Sequence, residues 1–371
     1  MRILLQNPHT LGELSGVVTY LDTLEAELAR RGVETAVLRS KSASLADKWR
    51  AVQHADVVHL NANDLALALM ARLRGRTTVQ KYHFAPYRST FSDYTPMGFR
   101  QRLWTEWKLN LYRPFAPSPT LRYSVKAAIH LAGRLSVMAL MHHIVACSGF
   151  IAEACSFPRP VHVIYNPMPV EPGQAARTLE ALPTPFRFVY AGHLSKHKGP
   201  DLLIDAVRTL TSGAASGGVP FEVRMIGDGQ HEAGIRQLAK LTGVEHCVTF
   251  LGRLSHAEVL AEMREALAVV VPSRCQEAAS YASIEGASQQ VMTIGTRVGG
   301  LPETAGPDAL IVPPNDPQAL AMAMTHVLNA PAEALERGRR AYERALEVFD
   351  AGRVAEQFLD VVAPSFSLQP V

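Results

Sequence analysis

The sequence predicts an α/β protein of two doubly wound domains, each a parallel sheet covered by helices, facing one another across a cleft. Three observations carry that prediction. Short apolar runs alternate with helical patterns along the 371 residues, as the strands and crossover helices of parallel sheets do. A stretch of Pro, Gly and small residues at 167–185 interrupts the alternation midway. Polar and charged residues follow several of the runs, at the C-terminal strand edges where open α/β sheets bind ligands.

The first domain is expected over residues 1–167, with strand runs at 2–6, 35–39, 56–60, 77–80, 143–146 and 161–165. Between the first two runs, residues 17–31 read as a helix. Val18, Leu21, Leu24 and Leu28 fall on one face, and Gly32 supplies a C-terminal stop. Residues 167–185 have no strong periodicity and are expected to link the domains. The second domain, 168–350, repeats the alternation with runs at 186–191, 222–226, 248–251, 269–271, 292–296 and 309–312. A last helical pattern opens the segment 351–371 and is expected to cross back to the first domain.

Composition narrows the class. With 47% hydrophobic and 19% charged residues the chain reads as an ordinary globular protein, long enough for two cores. A net charge of +3 and the absence of any nucleic-acid module signature make nucleic acid an unexpected partner. Cys147, Cys155, Cys247 and Cys275 show no Cys-x-x-Cys spacing, which predicts reduced thiols and a cytoplasmic location. Met1-Arg2 leads directly into the first run, so no secretory leader is expected. The stretch 135–152 is long enough to span a membrane but carries His142, His143, Ser148 and Gly149. It reads instead as a buried helix followed by a strand.

Residues 84–139 break the alternation. Eleven of the chain's 26 aromatics lie from Tyr82 to Tyr123, and 81–134 holds nine Lys/Arg against Asp93 and Glu106. The local charge is therefore +7 and the rest of the chain sums to −4. The segment is rich in Pro and lacks a clean strand. Two compatible readings follow: a long loop packing its aromatics on the first domain, or a surface that binds acceptor or docks on anionic membrane lipids.

Several loops carry candidate chemistry. Gly16 opens the first helix, where free backbone N–H groups favour an anion. Leu11–Gly16 is not Gly-x-Gly-x-x-Gly, so a dinucleotide site is not supported. His83 ends the fourth strand run at the presumed cleft. His193, Lys196 and Lys198 cluster before a helix that Asp201 is placed to cap, a metal-free arrangement for a diphosphate. His193 and His197 are four apart but lack a nearby carboxylate or cysteine partner, so zinc is not expected. Gly227-Asp228-Gly229 reads as a tight turn. No Asp-x-Asp occurs, which leaves cationic side chains to neutralise a diphosphate. Markers of acyl transfer and of P-loop chemistry are missing as well. Finally, Glu277 and Glu285 are separated by seven residues, between the apolar run before Ser273 and Val298-Gly299-Gly300-Leu301-Pro302-Glu303. That framing puts the first carboxylate at a strand's C-terminal edge and the second in the next helix.

On these residues the chain resembles the large sucrose-synthase-like family (family 4) of retaining glycosyltransferases, which have the GT-B fold of two Rossmann-like domains. The spaced glutamates are the most specific part of the likeness. The phrases Val223–Gly229, Val248–Leu254, Val298–Glu303 and Val312–Pro317 accompany them. The resemblance implies that Glu277 contacts the donor sugar and that Glu285 binds the ribose hydroxyls. Ser280, Tyr281 and Ala282 would contact the donor between them. The family's Gly-Arg-Leu…Lys-Gly phosphate motif falls on Gly192-His193-Leu194…Lys198-Gly199. His193 replaces the arginine there, leaving Lys198 as the main diphosphate cation. Its glycine-rich first loop falls on Ser15-Gly16 and its cleft histidine on His83, while backbone at Arg253-Leu254 would meet the nucleobase. Ala278-Ala279-Ser280-Tyr281 stands where the family often has Gly-Phe-Gly.

The function so implied is retaining transfer of a sugar from a nucleotide-diphosphate donor, UDP before GDP, to an acceptor hydroxyl. Glu277, Lys198 and His83 would form the catalytic group, without a metal or other cofactor. The acceptor would be a glycan, a lipid-linked intermediate or a small molecule, and the protein could touch the cytoplasmic membrane face. Two other readings remain open at this point. One is a nucleotide-sugar epimerase or sugar phosphorylase on the same fold. The other is a non-catalytic nucleotide-sugar-binding protein.

Overall fold

The computed structural model describes residues 1–10, 16–85, 97–111, 121–212 and 219–363. The chain divides into two compact units. Unit 1 comprises Met1–Pro167 with Ala351–Val371, and unit 2 comprises Met168–Asp350.

Unit 1 is built on β1 (Arg2–Asn7), β2 (Glu34–Arg39), β3 (Val57–Leu60), β4 (Thr77–Tyr82), β5 (His143–Ala146) and β6 (Val161–Val163). They form one sheet in the order β2-β1-β3-β4-β5-β6, with every pairing parallel. The strand order reverses between β1 and β3. In open parallel sheets that reversal makes a crevice at the C-terminal strand ends. Helix α1 (Gly16–Arg30) covers the sheet with Val17, Tyr20, Leu21, Leu24 and Leu28, so Val17 and Tyr20 take the inward place that the sequence pattern gives to Val18. The last helix, α14 (Ala351–Val362), packs on α1 and adds Val354, Ala355, Phe358 and Val362 to the same core as Ile3 and Leu5. Further helices of this unit are α2 (Leu45–Gln53), α3 (Leu65–Leu73) and α6 (Gly149–Ala154).

The segment 84–139 differs from the expected long loop. Its described residues form two helices, α4 (Phe99–Leu111) and α5 (Leu121–Leu140). Arg102 and Glu106 are buried while Trp104 and Trp107 are exposed and stack on one another at 5.0 Å. Residues 86–96 and 112–120 of that segment, like the loop 11–15, lie outside the described residues. No helix among the described residues is long and apolar enough to cross a membrane.

Unit 2 carries β7 (Phe186–Ala191), β8 (Phe221–Ile226), β9 (Val248–Gly252), β10 (Ala266–Val271), β11 (Met292–Thr296) and β12 (Leu310–Val312). Their order is β12-β11-β10-β7-β8-β9, again all parallel. Helices α7 (Pro200–Ser212), α8 (Glu232–Leu241), α9 (His256–Arg264), α10 (Tyr281–Ser288), α11 (Leu301–Ala305), α12 (Pro317–Asn329) and α13 (Pro331–Val348) follow or cross between them. Alternate residues of β10 enter different cores: Ala268 and Val270 join Phe188, Leu203 and Met324, whereas Val269 and Val271 join Met263 and Leu301. Burial on both faces is why this strand reads as an unbroken apolar run rather than an alternating one. Order reverses here between β7 and β10.

The stretch 168–185 is not a loose connection. Arg177 donates to the Gln290 carbonyl at 2.8 Å, Gln174 to the Ser288 carbonyl at 3.1 Å, and the Tyr342 hydroxyl to the Glu171 carbonyl at 2.5 Å. The two places where the chain crosses between units are adjacent, because Met168 donates its N–H to the Phe349 carbonyl at 2.8 Å and bridges to Asp350.

Candidate active site

The site in unit 2 is assembled at the β7/β10 reversal. After β7, a single 3-10 turn (Lys196–Lys198) ends at Gly199 in the left-handed region, φ +70°, and leads into α7. A Cβ on Gly199 would lie 2.0 Å from the Pro272 carbonyl oxygen, so the close approach of this turn to the loop after β10 requires glycine. That approach brings Lys198 Nζ to 2.7 Å from Glu277 Oε1. Ser273 Oγ donates to the same oxygen at 2.5 Å, and Glu277 is 8% exposed. These two donors satisfy an oxygen that burial withdraws from water.

Glu277 is also held through its backbone. Gly300 donates its N–H to the Glu277 carbonyl at 2.6 Å, and Gly299 donates to the Gln276 side chain. Gly299 has φ +55°, and a Cβ there would lie 2.3 Å from the Glu277 carbonyl oxygen. The turn after β11 thus grips the loop after β10. The sequence marks this turn by its paired glycines but does not say what it holds.

Arg274, which the sequence reading does not single out, fastens the other side. It donates to both carboxylate oxygens of Asp201 at 2.6 and 2.8 Å, to the Lys196 carbonyl at 2.7 Å and to Asn315 Oδ1 at 2.8 Å. Asp201 lies inside the first turn of α7 rather than before the helix, and its carboxylate also meets the backbone N–H groups of Asp201 and Leu202. Burial raises its carboxyl, but the hydrogen bonds and charge of Arg274 outweigh this and hold it below the usual range. Such bidentate pairs fix geometry as well as charge.

Glu285 lies in α10, whose N-cap is Ser280: its hydroxyl accepts from the Ser283 N–H at 3.3 Å. Thr304 Oγ1 accepts the Ser280 N–H at 3.3 Å. Ser280, Tyr281 and Ala282 thus form the start of the helix between the glutamates, and Ser280 is buried there. His256, at the start of α9, meets Glu285 Oε1 at 3.1 Å. That hydrogen bond raises the imidazole above its ordinary value despite its partial burial. Arg253 is exposed and donates to Asp228 at 2.8 Å, and Leu254 packs at the edge of the Val189–Leu301 core. His193 is exposed, and its carbonyl accepts the Tyr190 hydroxyl at 2.9 Å. Of the expected residues, the structure brings Lys198 and Glu277 into contact. It bonds Glu285 to His256.

Unit 1 has its own polar site at the β1/β3 reversal. Gly16 is the first residue of α1; the loop before it, with Ser15, lies outside the described residues. His83 is 7% exposed just past β4, with Nε2 2.9 Å from Asn61 Oδ1. His59 Nε2 is 3.0 Å from the same oxygen. Asn61 Nδ2 donates to the Gln6 carbonyl at 2.9 Å, Gln6 Oε1 accepts the Asn61 N–H at 2.8 Å, and Gln6 Nε2 donates to Ser40 Oγ at 3.0 Å. A hydrogen-bonded belt therefore crosses the ends of β2, β1, β3 and β4. Lys81 is buried beside it, Nζ 3.9 Å from the Tyr20 ring and donating to the Tyr165 carbonyl at 3.0 Å. Burial lowers Lys81 to about 7. It lowers His59 to about 3 against the opposing Asn61 bond, and it takes His83 well below its ordinary value, with Lys81, His59 and His9 adding repulsion. Both imidazoles are neutral at pH 7. Apart from His83, none of this belt is singled out by the sequence. Its one signal there is the polar Asn61-Ala62-Asn63 directly after an apolar strand.

Among the described residues, no three His, Cys, Asp or Glu gather as a metal site. Known proteins resemble this arrangement. Residues 176–344, most of unit 2, match the model of glycosyl transferases group 1. A D-rhamnosyltransferase of Pseudomonas aeruginosa is 29% identical over 168 residues, covering 44% of this chain and 42% of that protein. An uncharacterised glycosyltransferase of Methanocaldococcus jannaschii is 32% identical over 143 residues, covering 38% of each. The chain thus spans about two fifths of these relatives. A D-inositol 3-phosphate glycosyltransferase of Corynebacterium glutamicum aligns more widely, 25% identical with 92% of this chain and 90% of that protein covered. Among solved structures, Anabaena HepE in complex with UDP-glucose superposes with a TM-score of 0.70 at 16% identity, covering 98% of this chain and all (100%) of that one. Sucrose-phosphate synthase from Thermosynechococcus elongatus gives 0.69 at 18% identity, covering 99% and 100%. At such identities the superpositions establish the fold, the two-domain α/β architecture of GT-B glycosyltransferases. The glutamate-spaced loop and helix lie inside the matched region, so unit 2 is similar to the glycosyl transferases group 1.

Proposed function

We propose that this protein moves a sugar from a nucleoside-diphosphate donor to an acceptor hydroxyl with retention of anomeric configuration. The observation that carries the reading is the Lys198–Glu277 contact at the reversal point of the unit 2 sheet. Breaking the glycosidic C–O bond develops negative charge on the diphosphate and positive character on the sugar. A cation and a carboxylate fixed 2.7 Å apart answer both needs. Lys198 neutralises the leaving group, aided by the positive dipole end of α7, and so no metal is required. Glu277 orients the sugar hydroxyls rather than attacking the anomeric carbon. Glu285 holds the ribose, the backbone at Arg253 and Leu254 meets the base, and Ser280 to Ala282 line the donor. His83 in unit 1 engages the transferring sugar. UDP is the preferred nucleotide, a choice supported by the UDP-glucose complex of HepE, with GDP as the alternative.

The acceptor is a glycan, a lipid-linked intermediate or a small hydroxylated molecule, handled by unit 1, and the protein works in the cytoplasm. Helix α4 supports a lipid-facing role: Trp104, Trp107, Arg100 and Lys108 are all exposed. Exposed aromatics flanked by cations suit an anionic bilayer surface.

The test is direct. Purified protein is screened with UDP- and GDP-sugars by thermal shift, since a ligand that binds only the native state raises Tm. Product from the stabilising donor is then followed with candidate acceptors, with and without EDTA. Lys198→Ala and Glu277→Ala are expected to abolish transfer while retaining fold, and EDTA to leave it unchanged. Near-full turnover in either variant removes the assignment. Conversion of the donor without any acceptor points to epimerisation, and binding without turnover to a non-catalytic role.

A further inference from the structure

The belt in unit 1 does more than bury polar groups. Asn61 can present its amide to the histidines in only one way. Its Nδ2 is committed to the Gln6 carbonyl at 2.9 Å, and its own N–H and that of Ala62 are taken by Gln6 Oε1 at 2.8 and 2.9 Å. The oxygen Oδ1 therefore faces both rings, and an amide oxygen accepts but does not donate. His83 Nε2, 2.9 Å away, must carry the hydrogen. His59 Nε2, 3.0 Å from the same oxygen and 3.3 Å from the Tyr20 hydroxyl, carries one as well, because the opposite tautomer would set a lone pair against Oδ1 and leave a buried N–H at Nδ1. With Nε2 protonated, the Nδ1 of His59 is an orphaned acceptor, a smaller cost than an orphaned donor. The Nδ1 of His83 has no partner among the described residues.

We propose that Asn61 is a positioning residue that locks His83 as the Nε2–H tautomer, so that His83 meets its substrate only as a hydrogen-bond acceptor at Nδ1. This rests on the reading of His83 as a substrate-facing group. It narrows that reading: the partner of His83 is a hydroxyl that can donate, not a phosphate oxygen. The surroundings act in the same direction. Lys81 on β4, His59 on β3, His9 in the loop after β1 and Tyr20 on α1 face the ring, whose edge-on contact with Tyr20 is 4.8 Å between centroids. None of them supplies a carboxylate that would favour an imidazolium.

The experiment has one arm that needs no substrate. Long-range proton–nitrogen spectra of the histidine-labelled full chain, with His83→Gln used for assignment, report the tautomer. The expected pattern is a protonated Nε2 and a bare Nδ1 from pH 5.5 to 8.5. Asn61→Leu is expected to mix the tautomers. Asn61→Asp keeps the oxygen in place and adds charge, and is expected to bring the His83 titration into that pH range. A protonated Nδ1 in the unaltered protein overturns the proposal. So does an unchanged His83 signal in Asn61→Asp, a variant nearly identical in shape that answers the question even if Asn61→Leu fails to fold. In the activity arm, Asn61→Leu is expected to lower kcat/KM on the order of tenfold to a hundredfold, and Asn61→Asp to restore activity only above its new His83 pKa. If no donor is ever turned over while the spectra behave as described, the transferase reading fails and the tautomer lock stands.

Discussion

At the scale of single residues, the candidate site is an exercise in keeping charges placed. Glu285 shares one oxygen with His256, whose pKa is raised by that bond. A raised histidine value means that the contact's stabilisation is complete below its ordinary value near 6.5 and fades as pH rises through the folded-state value. Glu285 is correspondingly released for a ribose as pH rises. UDP affinity is therefore expected to tighten about two- to fivefold from pH 5.5 to 8, the scale of a solvent-screened pair. His256→Asn should flatten that dependence, and calorimetric titration at several pH values measures both. A steeper dependence in the variant would show that another group controls the pocket. Glu277 was legible in the sequence because the apolar run before it announces a strand edge. Asn61 was not, since its importance depends on three bonds to residues more than twenty positions away, which no local pattern encodes.

Among the elements, the strands were the most readable part of the chain. All twelve runs became strands, and the central ones such as β3 and β10 are buried throughout, as continuously apolar parallel strands are. Helix α4 was missed for a physical reason: Arg102 and Glu106 face inward, and Arg102 donates to the Ala154 carbonyl at 2.9 Å, while the tryptophans face out. That reverses the usual reading of which side of a helix is the core side. Replacing Trp104 and Trp107 together by Ala is expected to leave Tm nearly unchanged and to weaken sedimentation with anionic vesicles at low salt. High salt should release the unaltered protein. Failure of the unaltered protein to bind such vesicles at low salt removes the lipid role. The turn after β11 gives the opposite kind of prediction. Gly299→Ala forces a left-handed backbone and a 2.3 Å contact with the Glu277 carbonyl, so a loss of about 1–3 kcal/mol is expected. Activity should fall further than stability because Glu277 moves with the turn. Denaturant melts paired with initial rates distinguish the two effects.

For the whole molecule, unit 1 is discontinuous in sequence. Its core includes Val354, Ala355, Phe358 and Val362 from α14, and Arg31 donates to the Gly352 carbonyl at 2.8 Å. Phe358 also meets His59 edge-on at 4.9 Å between ring centroids, directly beneath the polar belt. Phe358→Ala is expected to cost about 3–5 kcal/mol, and a melt resolved by unit should show the loss in unit 1. A uniform shift of both units would argue that they unfold as one. The same feature sets an order of events on the ribosome. Unit 2 is contiguous and can close its two cores once residue 350 has emerged, whereas the first 167 residues wait, lacking one helix, until α14 has been made. Unit 1 is thus begun before unit 2 and completed after it, and a nascent chain stalled before α14 would present an open apolar face to whatever chaperone attends it.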